Sequence, residues 1–158
     1  MRPSIIQLKR VFFQRFEIEA IEPPEGIARI NAEDFDFEGI TFRVSLDAQQ
    51  AMIADDVDPN VFFIVLHVAI DQEEQKPAPY KIDVSALGII EIAEVVEPEK
   101  RRDLALVNGA SLVYGAIREL ITTVTSRCIP GPFILPTTDF RDHSEFLQAA
   151  TPQDVTKP

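Results

Sequence analysis

Tyr80 to Ala93 reads YKIDVSALGIIEIA, and Arg102 to Arg127 reads RDLALVNGASLVYGAIRELITTVTSR. The first stretch alternates apolar and polar residues, the period of a half-buried β-strand, with Gly88 read as a bulge or bend. The second is free of proline and places Leu112, Ala116, Leu120 and Val124 at i+4 intervals, with Val113, Ile117 and Ile121 beside them. That is a broad helical stripe, broken by Arg118 and Glu119. Gly109 and Gly115 lower its helix propensity but let another backbone come close. The hydrophobic period therefore switches from two to about 3.6 after Pro98.

Three more strand-like runs precede the switch. Ile5 to Ile21 contains VFFQRFEIEAI, where Phe16, Ile18 and Ala20 alternate with Arg15, Glu17 and Glu19. Ile40 to Asp47 sets Ile40, Phe42, Val44 and Leu46 against Thr41, Arg43, Ser45 and Asp47. Val61 to Asp71 (VFFIVLHVAID) is almost continuously apolar, as a central strand is. Glu22–Gly26, Asp55–Asn60 and Lys76–Pro79 carry turn chemistry, and the last has the length of a hairpin link. Strands joined by such links predict an antiparallel sheet. Cys128 to Pro136 (CIPGPFILP) holds three prolines and cannot be helix. Thr138 or Asp139 can then cap a short last helix through Leu147. The predicted class is α+β: a four-stranded antiparallel sheet with a long helix and a short C-terminal helix on one side. Residues 1–150 form one domain, and 151–158 a flexible polar tail.

Composition narrows the function without naming it. The chain has 158 residues, a one-domain length. Its 15 basic and 26 acidic residues leave a net charge of −11. That balance disfavours nucleic acid and anionic membranes as partners, since both demand a basic footprint. At 46% hydrophobic, with 11 Phe, the chain is acidic but not a disordered composition. The single cysteine, Cys128, makes no internal disulfide and fits a reducing cytoplasm, as a small buried hydrophobe. No run of 18 apolar residues predicts membrane insertion, and MRPSIIQLKR lacks a signal-peptide h-region.

Catalytic signatures are missing: no P-loop, GxGxxG, GxSxG, HExxH or CxxC. His67 reads as a packed or edge-facing structural histidine and His143 as part of a solvated turn. Asp55, Asp56 and Asp58 lack the glycine and closing glutamate of a Ca²⁺ loop. The chain is expected to be no enzyme and to need neither cofactor nor metal. Phe35 and Phe37 stand out, because Asn31–Gly39 is acidic and has no strand pattern. They either fold back into the core or line an apolar binding strip.

The order of these motifs resembles the bacterial export chaperone family SecB. Gln7-Leu8-Lys9-Arg10-Val11 resembles its first strand, with Glu19 at a following glutamate. Ala54-Asp55-Asp56-Val57, then Val65-Leu66, resembles its ADD segment and third strand. Tyr80, Asp83, Val84, Gly88 and Ile89 fit its fourth strand. Ile117-Arg118-Glu119 through Ser126-Arg127, then Leu135-Pro136 and Asp139-Phe140, resembles its long helix and the turn into the last one. The resemblance spans about Gln7 to Phe146.

This resemblance implies an ATP-independent holdase for unfolded or precursor polypeptides, assembled as a homo-tetramer, a dimer of dimers with long helices between sheets. It implies client grooves at Phe42, Val44, Leu46 and Phe140, to which composition adds Phe35, Phe37 and Phe146. It also implies a face where the translocase motor SecA docks, here at Glu19 and Asp83. Arg15 replaces an acidic residue of that face and Lys81 a leucine, changes that weaken electrostatic complementarity. Cys128-Ile129 stands where the family has Gly-Gly, and Gly109-Ala110 where it has Cys-Pro. The family's crossover tryptophan is missing, with Phe35 or Phe37 as its replacement. The competing reading is a dedicated adaptor, or an antitoxin-associated chaperone without motor delivery.

Overall fold

The computed structural model describes residues 3–40, 42–53, 56–71 and 76–143. Four strands, β1 (Ile6–Ala20), β2 (Phe42–Ile53), β3 (Asp56–Ile70) and β4 (Tyr80–Ile92), form one sheet. Their order is β1-β4-β3-β2, with every neighbouring pair antiparallel. β2, β3 and β4 follow one another as a meander. The connection from β1 to β2 crosses the sheet from one edge to the other, a Greek-key order. β3 is central, as its nearly continuous apolar run predicts.

β4 shows why one face became the core. Tyr80, Ile82, Val84, Ala86, Ile90 and Ile92 are buried, while the residues between them are half-buried. The helix α1 runs from Pro98 to Thr125 over this inner face. It begins four residues before the predicted start, with Pro98 in its first turn, where a missing N–H costs no helical bond. Arg101 fastens that end, its Nε donating to Val96 O at 2.8 Å and its Nη2 to Glu94 O at 3.0 Å. By length and composition α1 could span a membrane. Here Val113, Tyr114, Ile117 and Ile121 are packed against the sheet. The row Leu112, Ala116, Leu120 and Val124 lies on the flank, with Leu112 exposed.

Glycines set the helix-to-sheet distance. Ala105–Gly109 is a π-helical turn within α1. A Cβ on Gly109 would lie 2.9 Å from Ile90 Cγ1 and 3.1 Å from Ile64 Cγ1, so this turn needs glycine to sit on β3 and β4. Gly88 is no bulge: its pairing with Val11 and Ile64 is regular, and Val113 of α1 occupies the space a side chain would take. Gly115 has open space instead of a backbone neighbour.

The irregularities fall elsewhere. The β1–β4 register shifts between Leu8 and Arg10 and again between Phe13 and Arg15. The β2–β3 register shifts between Gln50 and Met52. The segment predicted as a loop from Asp55 to Asn60 is strand from Asp56 onward. Val57 pairs with Met52 and Phe62 with Gln50, so Pro59 falls in the unpaired interval between them and forfeits no ladder bond.

Thr125, fully buried, joins the helix end to the proline-rich segment. Its hydroxyl donates to Ile121 O at 2.7 Å and accepts from Phe133 N at 2.8 Å. Thr125→Val should strand that amide and cost about 1–3 kcal/mol, read as a lower urea midpoint. The chain after α1 is non-helical to Phe140, as its prolines require, and ends in a 3-10 turn, Arg141–His143. Asp139 Oδ1 accepts from Arg141 N at 3.0 Å, a cap-like bond at the predicted residue. The rest of the predicted last helix, Phe146 and the tail lie outside the described residues.

Arg141 also binds the Asp139 carboxylate through its side chain, which together with the backbone bond holds the Asp139 pKa down to about 2. A carboxyl depressed by folding stabilises the fold above its unfolded value of 3.8, and that contribution is lost as pH falls through about 2. Carboxyl NMR should give Asp139 a midpoint near 2, and Arg141→Ala should return it toward 3.8.

Candidate functional site: two surfaces of the sheet

The inner face carries an aromatic cluster and an uncovered apolar margin. Phe35 packs edge-to-face on Phe37, with ring centroids 5.2 Å apart, and both rings lie against Phe133. Phe133 in turn lies against Tyr80. Tyr80 is buried, its hydroxyl donating to Gly131 O at 2.7 Å. Burial, followed by the neighbouring Cys128, pushes its pKa up to about 12. Ala32 N donates to Pro130 O at 2.7 Å, closing the crossover onto the segment after α1.

These contacts decide between the two sequence expectations for the crossover. Phe35 is 8% exposed and is core, not groove surface; Phe37 is half-buried beside it. Phe140 is likewise core, 1% exposed and packed edge-on to Tyr114 at 5.8 Å. Both are large apolar rings within reach of a buried aromatic partner, and water offers them nothing comparable. Phe42, Val44 and Leu46 do share the inner face of β2 and stay half-buried at the margin of the core.

More apolar surface is left uncovered than these residues account for. Ile27 and Ile30 of the crossover are 54% and 46% exposed. They line a shallow groove walled by Ile21, Pro23, Pro79 and Pro130. On the edge strand β1, whose end borders this groove, Phe13 and Phe16 pair with Ala86 and Val84 on the inner face yet remain exposed. Counting by twos along β1 puts these two on opposite faces. The bulge between Phe13 and Arg15 brings them together.

The outer face has a different character. Register places Phe12, Leu87 and Val65 in one row and Ile89 and Phe63 in the next. Farther along, charged groups form a ladder. Lys81 Nζ donates to Glu17 Oε1 at 2.7 Å, and Arg15 Nη2 to Asp83 Oδ2 at 2.8 Å. His67 Nε2 lies 2.7 Å from Asp83 Oδ1, so His67 is neither packed nor at an edge but on the open face of the central strand. Lys81, then Arg15, lowers the Glu17 pKa, and Glu17 raises that of Lys81. Glu19 is exposed and sits opposite Lys81. Asp83 and Glu91 share this face, as their even spacing predicts. Among the described residues no three His, Cys, Asp or Glu side chains come together as a metal would require.

No family model and no curated protein matches the sequence. Among solved structures, the chain is similar to a Mycobacterium tuberculosis SecB-like chaperone in complex with an antitoxin peptide. The TM-score is 0.49 at 18% identity, over 85% of this chain and 91% of that one. It is also similar to a Streptococcus agalactiae protein of unknown function, with TM-score 0.44 at 15% identity, over 84% and 97%.

Proposed function

We propose that this chain is an ATP-independent polypeptide-holding chaperone of the SecB type, working in the cytoplasm. The observation that carries the reading is the apolar surface left open where the crossover meets the inner face. Ile27 and Ile30 are half-exposed in a proline-walled groove beside the end of β1, and Phe42, Val44 and Leu46 form a second half-buried strip on β2 at the opposite edge. Soluble domains rarely leave such strips unless something apolar covers them. Phe37 belongs to this surface, and Phe35 supports it from beneath. An unfolded segment would bind mainly by apolar burial, at roughly 25 cal/mol per Å². The exposed Leu112 on α1 and the nearby Ile134 support assembly through the helix side, as in a tetramer with helices between sheets.

The test is suppression of aggregation of a chemically unfolded client, without nucleotide. Wild-type protein should keep the client soluble, and little should change between low and high salt. Each buried isoleucine is worth about 1.5–3 kcal/mol, so Ile27→Ser with Ile30→Ser should weaken client binding about tenfold or more. A wild-type chain that leaves aggregation unchanged ends the reading.

The alternative is an adaptor for one folded partner, or motor docking at Glu19 and Asp83. Charge-led docking is disfavoured by the ladder itself. Asp83 is engaged by Arg15 and His67, and Lys81 stands between Glu17 and Glu19. Complex formation that collapses with salt would favour this second reading.

A further inference from the structure

We infer that, within the helix-side assembly proposed above and resting on it, the α1 helix of a second copy crosses α1 at Gly115 and runs antiparallel to it. Leu112, Gly115, Glu119 and Thr123 recur at three- and four-residue steps, so they share one face of the helix. All four are exposed, and the face is turned away from the sheet. Gly115, Arg118, Glu119, Thr122 and Thr123 floor an open hollow there, and Ile134, 47% exposed, walls one side of it. Glycine in the middle of a helix is a costly choice. Gly109 answers that cost where α1 sits on β3 and β4, but a Cβ on Gly115 would meet nothing within 4 Å. The chain's own fold gives this glycine no purpose. A second helix backbone at the roughly 8–10 Å of packed helices gives it one.

The charges set direction and register. Arg118 and Glu119 are neighbours in sequence, so within one helix they do not face each other. Neither is in an ion pair with another described residue. A two-fold axis between the helices, lying across them and level with the bond between Arg118 and Glu119, lays Arg118 of each copy against Glu119 of the other. Two opposite-charge pairs then meet at the centre. The same axis sets Gly115 against Thr122, and Leu112 against Thr123 and Ser126, so the one large apolar side chain of the face meets small ones. Parallel helices in register would instead bring Arg118 to Arg118 and Glu119 to Glu119. Reciprocal matching of this kind belongs to two identical surfaces in an isologous contact. An unfolded client of arbitrary sequence does not call for it.

Light scattering at micromolar concentration tests the crossing. The wild-type chain should form an assembly of two or more copies. Gly115→Leu should halve its mass yet keep the full far-UV helix signal, because leucine is the better helix former and nothing in the same chain opposes its Cβ. Arg118→Glu alone and Glu119→Arg alone should each halve the mass as well. Both reversals in one chain should restore it, since every facing pair is then again opposite in sign. A wild-type chain that stays a single copy overturns the inference. So does an unchanged mass in Gly115→Leu and both single reversals, or a double variant that remains at half mass. Loss of client binding at constant mass would assign the hollow to the client, and equally overturns it. Wild-type aggregation suppression separates this from the holding activity: if it persists where the mass results fail, only the crossing falls. If the masses behave as expected and suppression is absent, only the holding activity falls.

Discussion

Phe133→Ala should be the most destabilising single substitution in the chain's aromatic cluster, at about 3–5 kcal/mol. Phe133 is fully buried, and three rings, Phe35, Phe37 and Tyr80, lie within 5.7 Å of it, centroid to centroid. Removing it opens a cavity bounded by elements that cannot all close in. β4 is held by two neighbours, and the segment after α1 is pinned by Thr125. The loss is a large part of a domain's ~5–15 kcal/mol and should move the urea midpoint by about 2 M. The crossover should loosen with it, since two of its rings rest on Phe133. Hydrogen exchange at Ala32 N–H, bonded to Pro130 O, should therefore rise more than exchange in central β3. A midpoint shift below about 0.3 M at fixed protein concentration would show that the cluster is not core.

Gly88→Ala should cost about 1–3 kcal/mol although it adds one methyl group. The site lies in the strand with neighbours on both sides, so β4 cannot shift away. Val113 occupies the space from above, and a β-branched side chain in a helix has essentially one rotamer. The consequence is a strong coupling. In Gly88→Ala with Val113→Ala, the new methyl fills part of the space the valine vacates. The double variant should thus be more stable than the sum of the two single losses by about 0.5–3 kcal/mol, measured by denaturant unfolding. Simple additivity would mean that α1 rides higher on the sheet than the structure has it.

The strands and the helix were legible because each repeats a period over many residues. Ile40–Asp47, Val61–Asp71 and Tyr80–Ala93 all lie on observed strands, apart from a residue or two at some ends and Thr41, outside the described residues. The candidate groove was legible only in part. Phe42, Val44 and Leu46 alternate with polar residues and share the inner face, whereas Phe35 and Phe140 sit in irregular segments whose burial depends on distant rings. The acidic docking face was read from single residues, and the ladder that neutralises it joins β1, β3 and β4.

By itself the sequence determined the class of fold, the identity of the sheet's two faces and the net charge, because periodicity and composition are local properties. Tertiary structure alone decided the strand order, the β1 bulge that unites Phe13 and Phe16, and the closeness of Gly88 to Val113. It alone also decided which acids find cations. Each of these depends on residues far apart in the chain meeting in one register, and a one-residue slip would turn every side chain of a strand to the other face.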